Sequence, residues 1–152
     1  EKQVGGEQKG VVLKRNHISC LILMGLIKAA LSPSMLKSEY RKENENNPMY
    51  GHCYVATETL YHLIKRDTDY KPYCGKDEND ITHWWLKDSN GTILDPTKEQ
   101  YTSIGKKPPY VNGRRSAFLT KELSKRASVL LQKITKEPAS KEMQMELFQQ
   151  DD

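Results

Sequence analysis

The sequence predicts a single α+β domain, in which helices pack on a small antiparallel sheet. Apolar residues recur at helical spacing in three segments, residues 17–31, 53–65 and 123–134. Residues 81–87 and 92–97 are instead rich in β-branched and aromatic residues, and the Asp-Ser-Asn-Gly between them is a strong hairpin signal. A chain of 152 residues is long enough for one domain with a real core and too short for two of ordinary size.

The first 31 residues divide into a polar lead and an apolar helix. Residues 1–10 contain three glycines among polar side chains and are predicted to be a disordered lead, so that the single domain spans residues 11–136. The apolar run at residues 18–31 is shorter than the roughly 18–20 residues that span a bilayer. We interpret it as a helix buried on most faces, with a strand over residues 18–24 as the alternative, and we expect no contact with a membrane.

The next segment is polar and leads into a helix that begins with a cysteine. Ser34 can cap a short helix from Met35 to about Glu43, and residues 43–48 are rich in turn formers and predict a loop. The apolar positions that follow indicate a helix over residues 53–65, whose first turn contains Cys53. Residues 67–80 are polar and contain a proline and a glycine, and we expect them to form a surface loop.

The turn of the hairpin determines which side chains share a face. A three-residue loop at residues 89–91 puts Trp85 opposite Asp95. His83 and Asp95 then become diagonal neighbours on one face, roughly 7–8 Å apart at the backbone. A two-residue loop at residues 90–91 would instead put them on opposite faces. The longer loop is favoured because it also gives the other face an apolar set. That set is Trp84, Leu86 and Leu94.

The last third is predicted to hold short extended pieces and a closing helix. The extended pieces are expected at residues 101–104 and 116–119, and Thr120 or Ser124 can cap the helix. Residues 137–152 are predicted to be a tail that forms one short amphipathic helix or stays disordered.

Three residue types that cysteine chemistry requires follow one another along the middle of the chain. At the start of a helix, the sulfur of Cys53 meets unpaired backbone N–H groups and the positive end of the helix dipole, which favour the thiolate. His83 can take the thiol proton, and Asp95 can orient the His83 ring. The alternative interpretation is a buried structural cysteine, a histidine satisfied within the sheet and an aspartate that opens a turn.

Over about residues 47–100 this pattern resembles the papain-like and transglutaminase-like group of cysteine enzymes. The resemblance implies that Cys53 is the nucleophile, His83 the general base and acid, and Asp95 the orienting acid. It also implies a core in which the cysteine helix packs on a small antiparallel sheet. Members often have an amide side chain a few residues before the cysteine, which implies that Asn47 helps the Cys53 N–H to hold the oxyanion.

Two neighbours of this triad are assigned to substrate binding. Adjacent residues of a helix point about 100° apart, so His52 is expected to face solvent or substrate rather than the Cys53 sulfur. Trp85 is assigned to the same substrate-binding region. His62 lies far along the helix from Cys53 and is expected to be structural.

We predict no metal and no cofactor. His52, Cys53, Cys74 and His83 are suitable zinc ligands by type, but they lack the paired spacing of zinc sites. The three cysteines form no CxxC pair, and their odd number does not suit a disulfide framework. A reducing, cytoplasmic setting is therefore the simpler expectation.

The predicted function is that of a thiol-dependent hydrolase of a peptide or protein substrate: a peptidase, an isopeptidase or an amidase. With an amine in place of water as the acceptor, the same chemistry would make an acyltransferase. The alternative is a non-catalytic binding module for nucleic acid or a protein partner. It would use the basic residues 106–136, which hold nine Lys or Arg side chains and one acidic side chain. A solvated helix face is the simpler explanation of those charges, so nucleic acid is not favoured.

Overall fold

A computed structural model describes residues 15–136 of the chain. Within that range, five α-helices and a four-stranded antiparallel sheet form an α+β architecture, which confirms the predicted class. The predicted lead at residues 1–10 and the predicted tail at residues 137–152 lie outside the described residues. No helix of the described range is long and apolar enough to cross a membrane.

Helix α1 spans His17–Ala30 and confirms the predicted helix. The Asn16 side chain caps it by accepting a hydrogen bond from the Ser19 backbone N–H. The expectation of burial on most faces is wrong, because only one stripe of the helix packs inward. That stripe is Cys20, Met24, Ile27 and Ala30, and an opposite apolar row, Ile18, Leu21, Ile22 and Leu26, is exposed.

Two further helices lead up to the predicted site. A 3₁₀ turn at Pro33–Met35 precedes helix α2, Ser38–Asn46, which runs through part of the predicted loop. The side chain of Asn44 explains the stop at residue 46, because it is buried and its amide nitrogen donates to the carbonyls of Pro48 and Tyr50. Helix α3, Cys53–Ile64, begins at the predicted residue.

The sheet has the strand order β3-β2-β1-β4. Its strands are β1 (Lys71–Lys76), β2 (Thr82–Lys87), β3 (Ile93–Leu94) and β4 (Arg114–Arg115). Strand β1 is an inner strand of the sheet, so the prediction of a surface loop over residues 67–80 is wrong for residues 71–76. Pro72 and Gly75 weaken the strand signal of the sequence, but the fold uses both: Pro72 is buried, and Gly75 lets another segment approach.

The hairpin register confirms the three-residue loop at residues 89–91. Leu86 lies opposite Leu94, and the Asp88 N–H donates to the Thr92 carbonyl at 3.0 Å. Gly91 has φ +84°, the left-handed conformation that such a loop requires. His83 and Asp95 therefore share one face of the sheet.

The segment after the hairpin differs from its prediction at two places. Helix α4, Glu99–Thr102, stands where an extended piece was expected at residues 101–104, and it buries Tyr101. No strand forms at residues 116–119, where the second extended piece was expected; the strand of this segment is β4, Arg114–Arg115. Helix α5, Lys125–Lys136, begins after Ser124, whose hydroxyl accepts from the Ala127 N–H at 3.3 Å, as the predicted cap requires.

The core lies between helices α1, α3 and α5 and one face of the hairpin. Most of its members are aliphatic side chains from these four elements. They include Met24, Ile27, Ala56, Leu60, Ile64, Leu86, Leu94, Leu130 and Ile134. The N-terminus of α3 lies at the margin of this core, next to the beginning of β2.

Candidate active site

Cys53 is the first residue of helix α3 and lies against the start of strand β2. Its Sγ is 3.7 Å from the Thr82 carbonyl oxygen, and one turn further along the helix the Thr57 hydroxyl donates to the Trp84 carbonyl at 3.2 Å. The residue is 8% exposed, and it borders a cavity. The helix start supplies backbone N–H groups without an intrahelical partner, so the sulfur lies in a position that stabilises negative charge.

His83 and Asp95 form a buried hydrogen-bonded pair. His83 Nε2 is 2.7 Å from Asp95 Oδ2, and His83 has no exposed surface. Because an ionised carboxylate only accepts hydrogen bonds, Nε2 carries a proton and donates it to Asp95. In the neutral ring, Nδ1 is therefore the basic nitrogen.

The other ring nitrogen of His83 is Nδ1, and the Cys53 side chain also interacts with this ring. Nδ1 is buried and makes no hydrogen bond of ordinary geometry with a described residue. Burial by itself would lower the pKa of His83. The hydrogen bonds and charges of Asp95 and Cys53 outweigh burial and raise that pKa to about 9. At neutral pH the ring is consequently an imidazolium between a carboxylate and a sulfur.

Aromatic side chains enclose the histidine and its carboxylate. The hydroxyl of Tyr110 donates to Asp95 Oδ2 at 2.8 Å, and the Asp95 Oδ1 accepts from the Thr97 N–H at 3.1 Å. The ring of Tyr101 meets the His83 ring edge to face at 4.9 Å between centroids. These contacts hold the buried pair in place.

From the sequence, Tyr110 was expected only as a possible stacking residue beside the basic residues 106–136, and not as a partner of Asp95. It lies in a 3₁₀ turn, Tyr110–Asn112, that approaches β1 so closely that a Cβ on Gly75 would be 2.8 Å from the Asn112 carbonyl oxygen. A Cβ on Gly113 would likewise collide with the Trp85 ring. These two glycines are the sequence signal for the close approach, but only the fold reveals what approaches.

A cavity of about 640 Å³ opens beside Cys53. Its wall is largely aromatic and aliphatic, with Tyr40, Tyr54, Val55, Trp84 and Leu119 among its members. A second cavity of about 490 Å³ shares Tyr50, Ile81 and Gln100 with the first. The two cavities therefore meet at these three residues, and only the first cavity borders Cys53.

Asn47, the expected oxyanion donor, is occupied elsewhere. Its amide nitrogen donates to the backbone carbonyl of Gln100 at 2.8 Å, and it borders the second cavity but not the cavity beside Cys53. The assignment of Asn47 to the oxyanion is therefore corrected to a structural role that joins α2 to α4. Gln100 itself borders both cavities, and its Oε1 is buried without a described partner.

The two residues assigned to substrate binding are buried, which corrects that assignment. His52 is 2% exposed, and burial first and the charge of Lys133 second lower its pKa to about 4. Trp85 is 1% exposed and packs between the rings of His83 and Tyr110. Neither borders the cavity beside Cys53; Trp84, its neighbour in sequence, does.

The other cysteines and histidines do not assemble around Cys53. All three cysteines are free, and the Cys74 sulfur lies 3.1 Å from the Ser116 hydroxyl. Within residues 15–136, no three side chains of His, Cys, Asp or Glu are grouped so that they could hold a metal ion.

The basic side chains of residues 106–136, predicted as the alternative binding surface, do not form one continuous surface. Lys106 pairs with Glu78 at 3.1 Å, and Lys133 donates to the Ala30 carbonyl at the end of α1. Lys125 and Arg126 border the cavity beside Cys53. Arg115 and Lys121 border a third cavity, of about 420 Å³.

No family model matches this chain, and no curated protein or solved structure matches it either.

Proposed function

We propose that this protein is a thiol-dependent hydrolase that cleaves an amide or isopeptide bond, with a Cys53-His83-Asp95 triad. One observation carries the proposal, the position of the buried His83 ring between Asp95 and Cys53. Its Nε2 is 2.7 Å from the Asp95 carboxylate, and its Nδ1 makes no hydrogen bond of ordinary geometry with a described residue. Cys53, whose side chain interacts with this ring, is the first residue of helix α3. The raised pKa of His83 supports an imidazolium next to the sulfur, which favours the thiolate.

The reaction follows from these positions. The Cys53 thiolate attacks the carbonyl carbon and forms a C–S bond, while the carbonyl oxygen becomes an oxyanion. The oxyanion collapses, the C–N bond breaks, and the imidazolium of His83 gives its Nδ1 proton to the leaving amine. The neutral ring then takes a proton from water, which attacks the thioester and releases the acid and the Cys53 thiolate. An amine in place of water would give acyl transfer.

The oxyanion requires hydrogen-bond donors beside Cys53. The backbone N–H of Cys53, in the first turn of α3, has no intrahelical partner and supplies one donor. We assign the second to the amide nitrogen of Gln100, because the residue borders the same cavity and its side-chain oxygen can only accept a hydrogen bond. Such a donor typically contributes about 2.7–4 kcal/mol to transition-state stability.

Thiol alkylation tests the proposal, with Cys20 and Cys74 as internal controls that have no histidine partner among the described residues. They are 1% and 4% exposed against 8% for Cys53, so the effect of a His83 variant on Cys53, rather than the difference between the cysteines, isolates the role of the histidine. Iodoacetamide should modify Cys53 selectively at pH 6–7, as read by peptide mass spectrometry. His83→Gln should slow modification of Cys53 and leave the other two thiols unchanged. Equal, slow modification of all three cysteines at this pH would contradict an activated Cys53.

A binding module remains the second candidate, and the third cavity is the observation that favours it. Among the described residues, its rim carries His62, Lys65, Lys71, Arg115 and Lys121 and no acidic side chain. Tyr61 and Phe118 in the same wall could stack on bases. A polyanion held there would leave Cys53 without a role in binding.

Salt dependence separates the two candidates. A binding module should hold single-stranded oligonucleotides with an affinity that falls steeply as salt rises, and Lys65→Glu with Lys71→Glu should weaken binding at each salt concentration. Cys53→Ala should leave that affinity unchanged. Absence of binding at low salt would remove the second candidate.

A further inference from the structure

The cavity beside Cys53 carries charge of one sign. Three cationic side chains border it, Lys37, Lys125 and Arg126, and no aspartate or glutamate of residues 15–136 does. The third cavity is also basic, but only the cavity beside Cys53 combines this charge with the candidate nucleophile. A wall of this kind attracts anionic ligands.

The three cations have no partner among the described residues. All three are exposed, and none of them makes an ion pair or a hydrogen bond within residues 15–136. Other surface lysines do pair, as Lys28 does with Glu99 at 2.9 Å. Charges that the described residues leave unpaired around a concave surface are available to a ligand.

Two of the cations also stand where a helix disfavours them. Lys125 and Arg126 occupy the first turn of α5, at the positive end of the helix dipole. The positive end of α3, which begins at Cys53, borders the same cavity. The fields of both helices therefore add to the three side-chain charges, and an anionic group in the cavity would be stabilised by all of them.

The neighbouring cavity is mixed in charge. Glu43, Asp77 and Glu78 border it together with Lys106 and Lys107, and Lys106 already pairs with Glu78. The two cavities meet at Tyr50, Ile81 and Gln100. The cleft consequently has a cationic side next to Cys53 and a side of mixed charge beyond it.

The cationic side also offers an apolar wall. The rings of Tyr54 and Trp84 meet edge to face at 5.1 Å, and Leu119 lies at the same cavity. This combination suits a side chain with an aliphatic stem and a negatively charged end, such as glutamate. It suits a small neutral or a cationic side chain poorly.

We propose that the ligand of this cleft is an acidic peptide, held so that a glutamate or aspartate next to the bond to be broken meets Lys37, Lys125 and Arg126. The preference for cleavage next to an acidic residue rests on the proposed hydrolase function. The preference for binding an acidic peptide does not depend on that function. The side of mixed charge then receives the remainder of the peptide.

Binding to the Cys53→Ala protein tests the inference without requiring turnover. The probe is a positional-scanning set of fluorescent octapeptides in which each position in turn is Glu, Gln or Lys. We expect Glu to bind roughly tenfold more tightly than Gln at one position, with the difference shrinking as salt rises. Lys125→Glu with Arg126→Glu should abolish that preference. Equal binding of Glu and Gln peptides at every position, or no binding by any peptide, would overturn the inference.

The matched control changes the same number of charges away from both cavities. Lys42→Glu with Arg66→Glu should keep the preference for Glu within about twofold, because both side chains are exposed and neither borders the cleft. An equal loss in this control would show a general effect of net charge and overturn the assignment. Circular dichroism and thermal unfolding confirm that each variant is folded.

Turnover by the unmodified cysteine separates this inference from the proposed function. Cleavage that depends on Cys53 and shows no preference for acidic residues would overturn the inference and leave the hydrolase proposal standing. Selective binding of acidic peptides with no cleavage of any of them would overturn the hydrolase proposal and leave the binding inference standing.

Discussion

The hydroxyl of Tyr110 lies 2.8 Å from Asp95 Oδ2, the same oxygen that contacts His83 Nε2 at 2.7 Å. With the Thr97 N–H on Oδ1, the carboxylate accepts three hydrogen bonds and cannot rotate without breaking one of them. Burial and the adjacent charge of Asp95 raise the pKa of Tyr110, so its hydroxyl keeps its proton and remains a donor. Tyr110 thus orients the group that orients His83.

Tyr110→Phe removes this donor and keeps the ring. Because a hydrogen bond to a charged group contributes about 1.5–3 kcal/mol, we expect the free energy of unfolding to fall by that order. We also expect slower Cys53 alkylation and a lower kcat, since Asp95 and His83 lose a fixed orientation. Urea unfolding and alkylation kinetics measure the two effects.

Tyr101→Phe is the matched control for Tyr110→Phe. The Tyr101 hydroxyl donates to Asp77 Oδ2 at 2.8 Å and makes no bond to Asp95. A comparable loss of stability with a smaller loss of alkylation rate would separate orientation of the triad from simple destabilisation. If both variants slow alkylation equally, Tyr110 has no special role in orienting Asp95.

Stability should depend on pH through His83. Its pKa is about 9 in the folded protein and about 6.5 in the unfolded chain, so the folded state binds more protons between these values. The stabilisation is fully present below pH 6.5 and is lost as pH rises through 9. We expect a decrease on the order of 2–3 kcal/mol across this window, measured by urea unfolding at successive pH values.

Asp95→Asn tests the cause of that dependence. Without the carboxylate, burial lowers the pKa of His83 and the main opposing effect is gone. The variant should be less stable than the parent at pH 6.5, and its stability should no longer fall toward pH 9. A parent protein whose stability is flat from pH 6.5 to 9 would contradict a protonated His83 in the folded state.

His52 gives a separate dependence at acidic pH. Burial, with the charge of Lys133 as a smaller cause, lowers its pKa from 6.5 to about 4, so the unfolded chain binds the extra proton between these values. Stability from this residue is present above pH 6.5 and is lost as pH falls through 4. His52→Gln should flatten the stability profile between pH 6.5 and 4 without changing its slope above pH 7. If the free energy of unfolding of His52→Gln changes with pH between 6.5 and 4 as it does in the parent, the His52 ring is exposed to water in the folded protein.

The sequence predicted the parts of this site that depend on local patterns. The three-residue turn ending in Gly91 fixed the register of the hairpin, and the register brought His83 and Asp95 to one face. The helical spacing after Gly51 put Cys53 at the first position of α3. Turn chemistry and helix periodicity act over a few residues, so both can be derived from a short stretch of chain.

The rest of the site depends on contacts between distant segments. Tyr110 reaches Asp95 because Gly75 and Gly113 permit close packing of the 3₁₀ turn against the sheet, and no local pattern indicates that packing. Asn47 has the expected amide at the expected distance in sequence from Cys53, yet the nearest acceptor in space is the Gln100 carbonyl. Proximity in the chain does not determine which acceptor an amide meets once α4 packs beside it.

Gln100 and Asn47 can be compared directly, because both carry a side-chain amide near the start of α3. If Gln100 holds the oxyanion, Gln100→Ala should lower kcat by about 10²- to 10³-fold with little change in KM, since the bond is made only in the transition state. Asn47→Ala removes the bond to the Gln100 backbone and should cost about 1 kcal/mol of stability, with a smaller loss of kcat from displacement of α4. The measurement is kcat and KM on an acidic peptide together with urea unfolding for each variant. A larger loss of kcat in Asn47→Ala than in Gln100→Ala, at unchanged stability, would return the oxyanion role to Asn47.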